Sequence, residues 1–159
     1  KIYKRAISNE QFNGMGTTLT MAYFLNDKIF IGHVGDSRAY LIRDNELLQL
    51  TDDHSLVAEL VKKGSISKEE AQYHPQRNII TRAVGTSEEI DIDIKFVKIK
   101  NNDIVLMCTD GLTSMIKEDE IKNLLLSEDN MQQLCNNLIK RANDLGGLDN
   151  ITAIVIKIV

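Results

Sequence analysis

Residues 17–50 read TTLTMAYFLNDKIFIGHVGDSRAYLIRDNELLQL. Short apolar segments rich in β-formers are cut by Asn26-Asp27, Gly35-Asp36 and Arg43-Asp44-Asn45, residue types that tolerate tight-turn backbone. That spacing predicts an antiparallel meander of four strands, so the fold starts from sheet rather than helix. Two more strands are expected from DIDIKFVKI (91–99) and DIVLMCT (103–109), joined by a turn at Asn101-Asn102. In the first, Ile92, Ile94 and Phe96 alternate with polar residues. The chain closes on ITAIVIKIV (151–159), apolar at nearly every position, which predicts a central strand covered on both faces.

Helices are expected between these strands. HSLVAELVKK (54–63) has Leu56 and Leu60, and Val57 and Val61, at helical spacing, with Gly64 placed to end it. Ser67-Lys68-Glu69-Glu70 is a capping box that starts another. The stretch 74–87, HPQRNIITRAVGTS, contains the single proline, Pro75, and reads as an irregular connection. Two further helices are predicted over about 117–126 and 130–145. The second carries Met131, Leu134, Cys135, Leu138, Ile139, Ala142 and Leu145 on one face, and Gly146 ends it. Strands grouped with antiparallel turns and helices grouped apart give an α+β layered domain.

A chain of 159 residues is one domain by size and buries roughly 68–70% of its unfolded surface. The net charge of −4, with Lys and Arg scattered, gives no electrostatic footprint for nucleic acid. No apolar run approaches the ~20 residues of a membrane span, so no membrane partner is expected. Cys108 and Cys135 show neither CxxC spacing nor a disulfide framework, which fits a reducing, cytoplasmic compartment. The first residue is Lys1 and the opening stretch is too polar for a signal peptide, so a trimmed or missing start is expected.

Three aspartates share one kind of position. Asp36 follows the strand KIFIGHV, Asp110 follows DIVLMCT, and Asp149 precedes ITAIVIKIV, each near glycine (Gly35, Gly111, Gly146-Gly147). In an antiparallel sheet the end of one strand lies beside the start of its neighbour, so the three carboxylates can converge at one edge. Clustered like charges raise one another's pKa unless a cation intervenes, and hard oxygens without nearby thiolate or imidazole suit Mg²⁺ or Mn²⁺. Taken singly, Asp-Gly and Asp-Asn are ordinary turn residues; three at strand ends favour metal.

Other chemistries lack support. His33, His54 and His74 show no zinc-ligand spacing; His33 reads as a satisfied sheet residue and His54 lies beside a helix start. There is no G-x-S-x-G elbow, P-loop or dinucleotide fingerprint. Cys135 and Arg141 have the C-x₅-R spacing of cysteine-dependent phosphatases, but the intervening NNLIK lacks glycine and lies in a periodic helix whose N–H groups are already committed.

GMGTTLT (14–20), VGDSRAYLI (34–42), LTDDHSLVAELVKKGSIS (50–67), HPQRNIITRAVG (74–85), CTDGLTSMI (108–116) and GGLDNITAIVI (146–156) occur in this order. Together they resemble the PP2C or PPM family of metal-dependent protein serine/threonine phosphatases, in its bacterial single-domain form. The resemblance runs from Gly14 to Val159. It implies a four-layer α-β-β-α sandwich, two antiparallel sheets flanked by helices, with two or three Mg²⁺ or Mn²⁺ ions at one end.

On the matching motifs, the resemblance makes Asp110 and Asp149 metal ligands. Asp36 becomes an acidic ligand of a third, weaker site shared with Asp110. Gly111, Ser114 and Asn150 become candidates for backbone contacts or for the water network around the ions; many members carry Asp where Ser114 stands. Residues from about 54 to 82 match a flap beside the site. The implied reaction, opposing bacterial Ser/Thr kinases, hydrolyses phosphoserine and phosphothreonine in proteins by water, with no protein nucleophile.

No phosphate-binding residue is assigned, and the family's D-G-x-G-G-H motif, whose aspartate bridges two metals, is absent before Gly14. The expectation is therefore an N-terminally incomplete domain over 1–159, its first strands missing. That segment is expected to have been cleaved, omitted or supplied by a separate chain. The alternative is a catalytically silent regulatory module.

Overall fold

The computed structural model describes residues 1–159. A helix α1 (Ile2–Ser8) and a short 3-10 turn (Glu10–Phe12) precede strands β1 (Leu19–Leu25), β2 (Lys28–Val34), β3 (Arg38–Arg43) and β4 (Glu46–Gln49). Helices α2 (Leu56–Lys62) and α3 (Lys68–Tyr73) follow, then β5 (Asp93–Lys98) and β6 (Ile104–Cys108). Helices α4 (Asp110–Thr113), α5 (Glu118–Leu125) and α6 (Met131–Asp144) lead to β7 (Ala153–Lys157). Every predicted strand is present; α4, a single turn directly after β6, carries no periodic signal and was not expected.

The strands form two antiparallel sheets, one ordered β1-β2-β5 and the other β4-β3-β6-β7. Asx residues at the tight turns explain the meander. Leu25 pairs with Lys28 across Asn26 (φ 52°), and Arg43 pairs with Glu46 across Asp44 (φ 52°) and Asn45 (φ 62°), the left-handed pair of a tight hairpin turn. The chain changes sheet between β2 and β3, and Asp36 lies in that crossing.

Two cores result. Ile29, Ile31, Ala39, Leu41, Leu50 and Val105 fill the space between the sheets. On the other side of the four-stranded sheet, Tyr40, Ile42, Ile104 and Leu106 pack against Ile121 and Leu125 of α5 and Leu134, Leu138 and Ala142 of α6. The i, i+4, i+8 spacing of the α6 residues is the predicted stripe, but Leu145 lies past the helix end and is exposed. The capping box is realised: Ser67 Oγ accepts from Glu70 N, and Glu70 Oε2 accepts from Ser67 N.

One expectation needs correcting. β7 is an edge strand, hydrogen-bonded to β6 alone, and Ile154 is 50% exposed. Its uniform apolarity arises because Ala153 and Val155 pack towards the helices while Ile156 meets the inter-sheet core; two-faced burial does not require two strand neighbours. In β5 the apolar series Ile94 and Phe96 points outward, Ile94 being 76% exposed, while Val97 packs into the core between the sheets. Met21, Tyr23, Ile94 and Phe96 are exposed apolar residues of the same sheet, with the Phe30 ring lying tilted between those of Tyr23 and Phe96. These 159 residues therefore build three of the four implied layers and leave the outer face of β1-β2-β5 exposed. No helix is long and apolar enough to cross a membrane.

Candidate metal centre at the sheet rim

Strand pairing brings the three aspartates to one rim. Arg38 pairs with Cys108 and Cys108 with Ala153, so the turn before β3, the end of β6 and the approach to β7 share one end of the four-stranded sheet. Thr109 stitches the last two together: its N–H donates to Thr152 O (3.1 Å), and its Oγ1 donates to Asn150 O (3.2 Å) while accepting from Thr152 N (3.0 Å). Gly111 is buried with its α-carbon against the Asn150 carbonyl, where a Cβ has no room.

The Asp36 turn is built as tightly. Gly35 takes φ +116° and faces the Thr18 side chain, so glycine is required on both conformational and steric grounds. Gly35 N donates to His54 Nδ1 (3.0 Å), and Gly35 O accepts from His54 N (2.7 Å). On the other side, Ser37 Oγ meets Thr18 Oγ1 at 3.0 Å, and Ser37 O accepts from Thr20 Oγ1 at 3.3 Å.

The charges at this rim are strained. Burial, then the negative charge of Asp110, pushes the Asp36 carboxyl up to about 6. Burial, then Asp149, raises Asp110 above the usual carboxylate range, although the Gly111 N–H opposes the shift. The coupling is pairwise, Asp36 with Asp110 and Asp110 with Asp149; no three His, Cys, Asp or Glu side chains are gathered into a closed metal cage. None of the three aspartates forms a salt bridge. An all-oxygen, uncompensated donor set of this kind fits a hard divalent cation.

The accessory residues are differently employed. Ser114 Oγ donates to Asp110 O (2.7 Å), closing the α4 turn. Asn150 contributes its carbonyl to the Thr109 contact, and its N–H donates to Asp149 Oδ1 (2.7 Å).

Sequence reading missed the support beneath the rim. Arg38 Nε donates to both oxygens of Asp53 (2.9 Å each) and Nη2 to Oδ2 (2.7 Å), so Asp53 is paired, although its charge still contributes to raising Asp36 and Asp110. Arg38 Nη1 also donates to the Tyr40 hydroxyl (3.0 Å), which donates to Glu118 (3.2 Å). Arg38 and Asp53 flank the motifs already noted, in GDSR and DDH, but only the structure shows that they pair across 15 residues.

Residues 54–82 leave the sandwich through a narrow neck. Ser55 bridges Ile80, Leu56 N donates to Ile79 O (2.9 Å), and Thr81 N donates to His54 O (2.8 Å). Neither α2 nor α3 has a buried residue.

Of the residues set aside in the sequence, His54 braces the Asp36 turn and Cys108 ends β6 two residues before Asp110. Cys135 lies within α6, and burial pushes the Cys108 thiol up to about 12. His74 accepts from Gln76 N through Nδ1 (3.1 Å). His33 is only half satisfied, contrary to expectation: Nδ1 meets Thr20 Oγ1 at 2.9 Å while the buried Nε2 has no partner.

Fold and rim define a two-sheet α+β sandwich carrying an acidic, metal-fitting edge. The sequence model of the family "Protein phosphatase 2C" matches residues 3–60. The serine/threonine phosphatase stp of Listeria welshimeri serovar 6b is 43% identical over 152 residues, covering 96% of this chain and 60% of that protein. The crystal structure of the serine/threonine phosphatase Stp1 from Staphylococcus aureus superposes with a TM-score of 0.96 at 40% identity, covering 99% of this chain and 62% of that one. The catalytic domain of the serine threonine protein phosphatase PstP, crystallised with two manganese ions, superposes with a TM-score of 0.89 at 32% identity, covering 99% and 65%. The chain belongs to the protein phosphatase 2C family. It spans about 60% of the length of the curated relatives it matches.

Proposed function

We propose that the protein containing this chain is a metal-dependent phosphatase of phosphoserine and phosphothreonine in proteins, working in the cytoplasm with two or three Mn²⁺ or Mg²⁺ ions. The observation that carries this reading is the rim itself. Asp36, Asp110 and Asp149 lie at one end of the sheet and couple in pairs, none of them in a salt bridge, with the Asp36 carboxyl pushed up to about 6. A protein tolerates such mutual repulsion where a bound cation relieves it.

Asp110 and Asp149 are the proposed principal ligands, and Asp36 completes a weaker site with Asp110. Bound ions would supply nucleophilic water at neutral pH and charge neutralisation of the phosphoryl group. The chain's own residues fix the ligands in place: Thr109 and Gly111 clamp the Asp149 loop to β6, and His54 clamps the Asp36 turn. Asp53, paired with Arg38, braces the rim, and its charge adds a minor share to the repulsion felt by Asp36 and Asp110. The bridging aspartate implied by the D-G-x-G-G-H motif would come from the length of the relatives that this chain does not span, on the same polypeptide or on a second one. Residues 54–82 would act as a flap over the site.

The test is hydrolysis of p-nitrophenyl phosphate by the full-length protein. The reading predicts activity that requires Mn²⁺ or Mg²⁺ and disappears with EDTA and in Asp110→Asn. Activity indifferent to EDTA, or no metal-dependent activity in the full-length protein, overturns it; the second result leaves a silent phosphatase-like module.

A further inference from the structure

His54 is 4% exposed and uses every polar group it has. Its N–H donates to Gly35 O (2.7 Å), its carbonyl accepts from Thr81 N (2.8 Å), and Nδ1 accepts from Gly35 N (3.0 Å). Because Nδ1 receives an N–H, the neutral ring carries its proton on Nε2, which faces Asp93 Oδ2 at 3.2 Å. The other oxygen of Asp93 accepts from Arg82 Nη1 (2.8 Å), and Arg82 Nη1 also donates to Asp91 O (3.2 Å). Burial alone would raise the Asp93 carboxyl, but hydrogen bonds from Arg82 and His54 hold it below the usual range.

These contacts form one continuous path. His54 is the residue at which the 54–82 segment departs from the sandwich, Thr81 and Arg82 are those at which it returns, and Gly35 is the residue before Asp36. Both roots of the segment are thus tied to the Asp36 turn through one residue, His54, whose main chain holds Thr81 and Gly35 and whose imidazole links Gly35 to Asp93 and so to Arg82. We propose that His54 is a positioning residue, through which cation binding at Asp36 and the attachment of the 54–82 segment bias each other. The proposal rests on the metal reading of the rim. Its physical content is reciprocal coupling: whatever the ion gains from one disposition of the segment, the segment gains from the ion. Asp93 and Arg82 are the other members of the path.

The path can be cut on one side of the ring at a time. His54→Asn keeps an acceptor near the place of Nδ1 for Gly35 N–H but has nothing that reaches Asp93. Asp93→Asn, at a half-exposed position, removes the charge that binds Arg82 while leaving the fold's cores untouched. The full-length protein and each variant are titrated with Mn²⁺ by calorimetry. Each is also digested with trypsin, which can cut within the segment at the exposed Lys62, Lys63, Lys68 and Arg77.

In the unsubstituted protein, saturating Mn²⁺ is expected to slow cleavage within 54–82 by about fivefold or more. In His54→Asn and Asp93→Asn the ion still binds with the same stoichiometry, but the slowing is lost; Asp36→Asn loses it as well. Undiminished protection in both His54→Asn and Asp93→Asn overturns the proposal while leaving the metal reading intact, as does Mn²⁺ binding that never affects cleavage. Absence of any Mn²⁺ binding by the unsubstituted protein overturns the metal reading and this proposal with it. Should His54→Asn fail to fold, Asp93→Asn and Arg82→Gln decide between the same outcomes.

Discussion

Gly111 packs its α-carbon against the carbonyl of Asn150 so closely that a Cβ would lie 3.0 Å from the carbonyl carbon and nearer still to its oxygen. At this point the Asp110 and Asp149 loops therefore meet main chain to main chain, beside the hydrogen bonds of the Thr109 hydroxyl. Gly111→Ala should cost about 1–3 kcal/mol, because backbone must move to admit the methyl group. Urea unfolding gives the stability loss, and a Mn²⁺ titration of the same variant should show weakened binding as Asp149 is displaced from Asp110.

Arg38 and Asp53 form the support under the rim, through three hydrogen bonds that a lysine cannot reproduce. Arg38→Lys is expected to destabilise the fold by about 2 kcal/mol. It also leaves Asp53 less well compensated beside Asp36 and Asp110, so Mn²⁺ release on acidification should begin at a higher pH than in the unsubstituted protein. Thermal unfolding and a pH series of Mn²⁺ titrations check the two parts separately.

Asp103, 2% exposed, accepts from Arg43 Nε (3.0 Å) and Nη2 (2.6 Å) and from Lys100 N (2.7 Å). Burial opposes its charge, but Arg43 outweighs that effect and holds the carboxyl below the usual range. With the folded value below the unfolded one, its stabilisation is complete above about pH 4 and is lost as pH falls through the folded value. Asp103→Asn should lower stability at neutral pH by roughly 1–3 kcal/mol and flatten the decline below about pH 4, as measured by urea unfolding across pH.

Cysteine chemistry is predicted to play no part. Cys135→Ser should retain full metal-dependent hydrolysis, and Cys108, with its thiol pushed up to about 12, should react with an aromatic disulfide reagent only on unfolding. Loss of activity in Cys135→Ser would contradict the account.

Much of this molecule is legible in its sequence because local rules and the fold agree. Asn26-Asp27 and Asp44-Asn45 mark hairpins that the structure closes with positive φ at Asn26, Asp44 and Asn45, and of the seven residues that the period of the 130–145 helix puts on one face, Leu134, Leu138 and Ala142 are fully buried. Antiparallel pairing alone predicts that Asp36, Asp110 and Asp149 share one rim, where the structure couples them in pairs, Asp36 with Asp110 and Asp110 with Asp149, and closes no three-carboxylate cage. The partnerships Arg38–Asp53 and His54–Asp93, which span 15 and 39 residues, are not legible, because nothing in a charged residue's neighbours names its distant partner. The edge position of β7 escaped for a related reason: apolarity reports what covers a strand's faces and says nothing of what pairs with its edges.

The central claim is that these three carboxylates hold divalent cations, and Mn²⁺ titration calorimetry of the full-length protein tests it most directly. The account predicts binding of two or three ions to the unsubstituted protein and the loss of at least one from Asp110→Asn, with the variant still folded by circular dichroism. Unchanged Mn²⁺ stoichiometry and affinity in Asp110→Asn would contradict it.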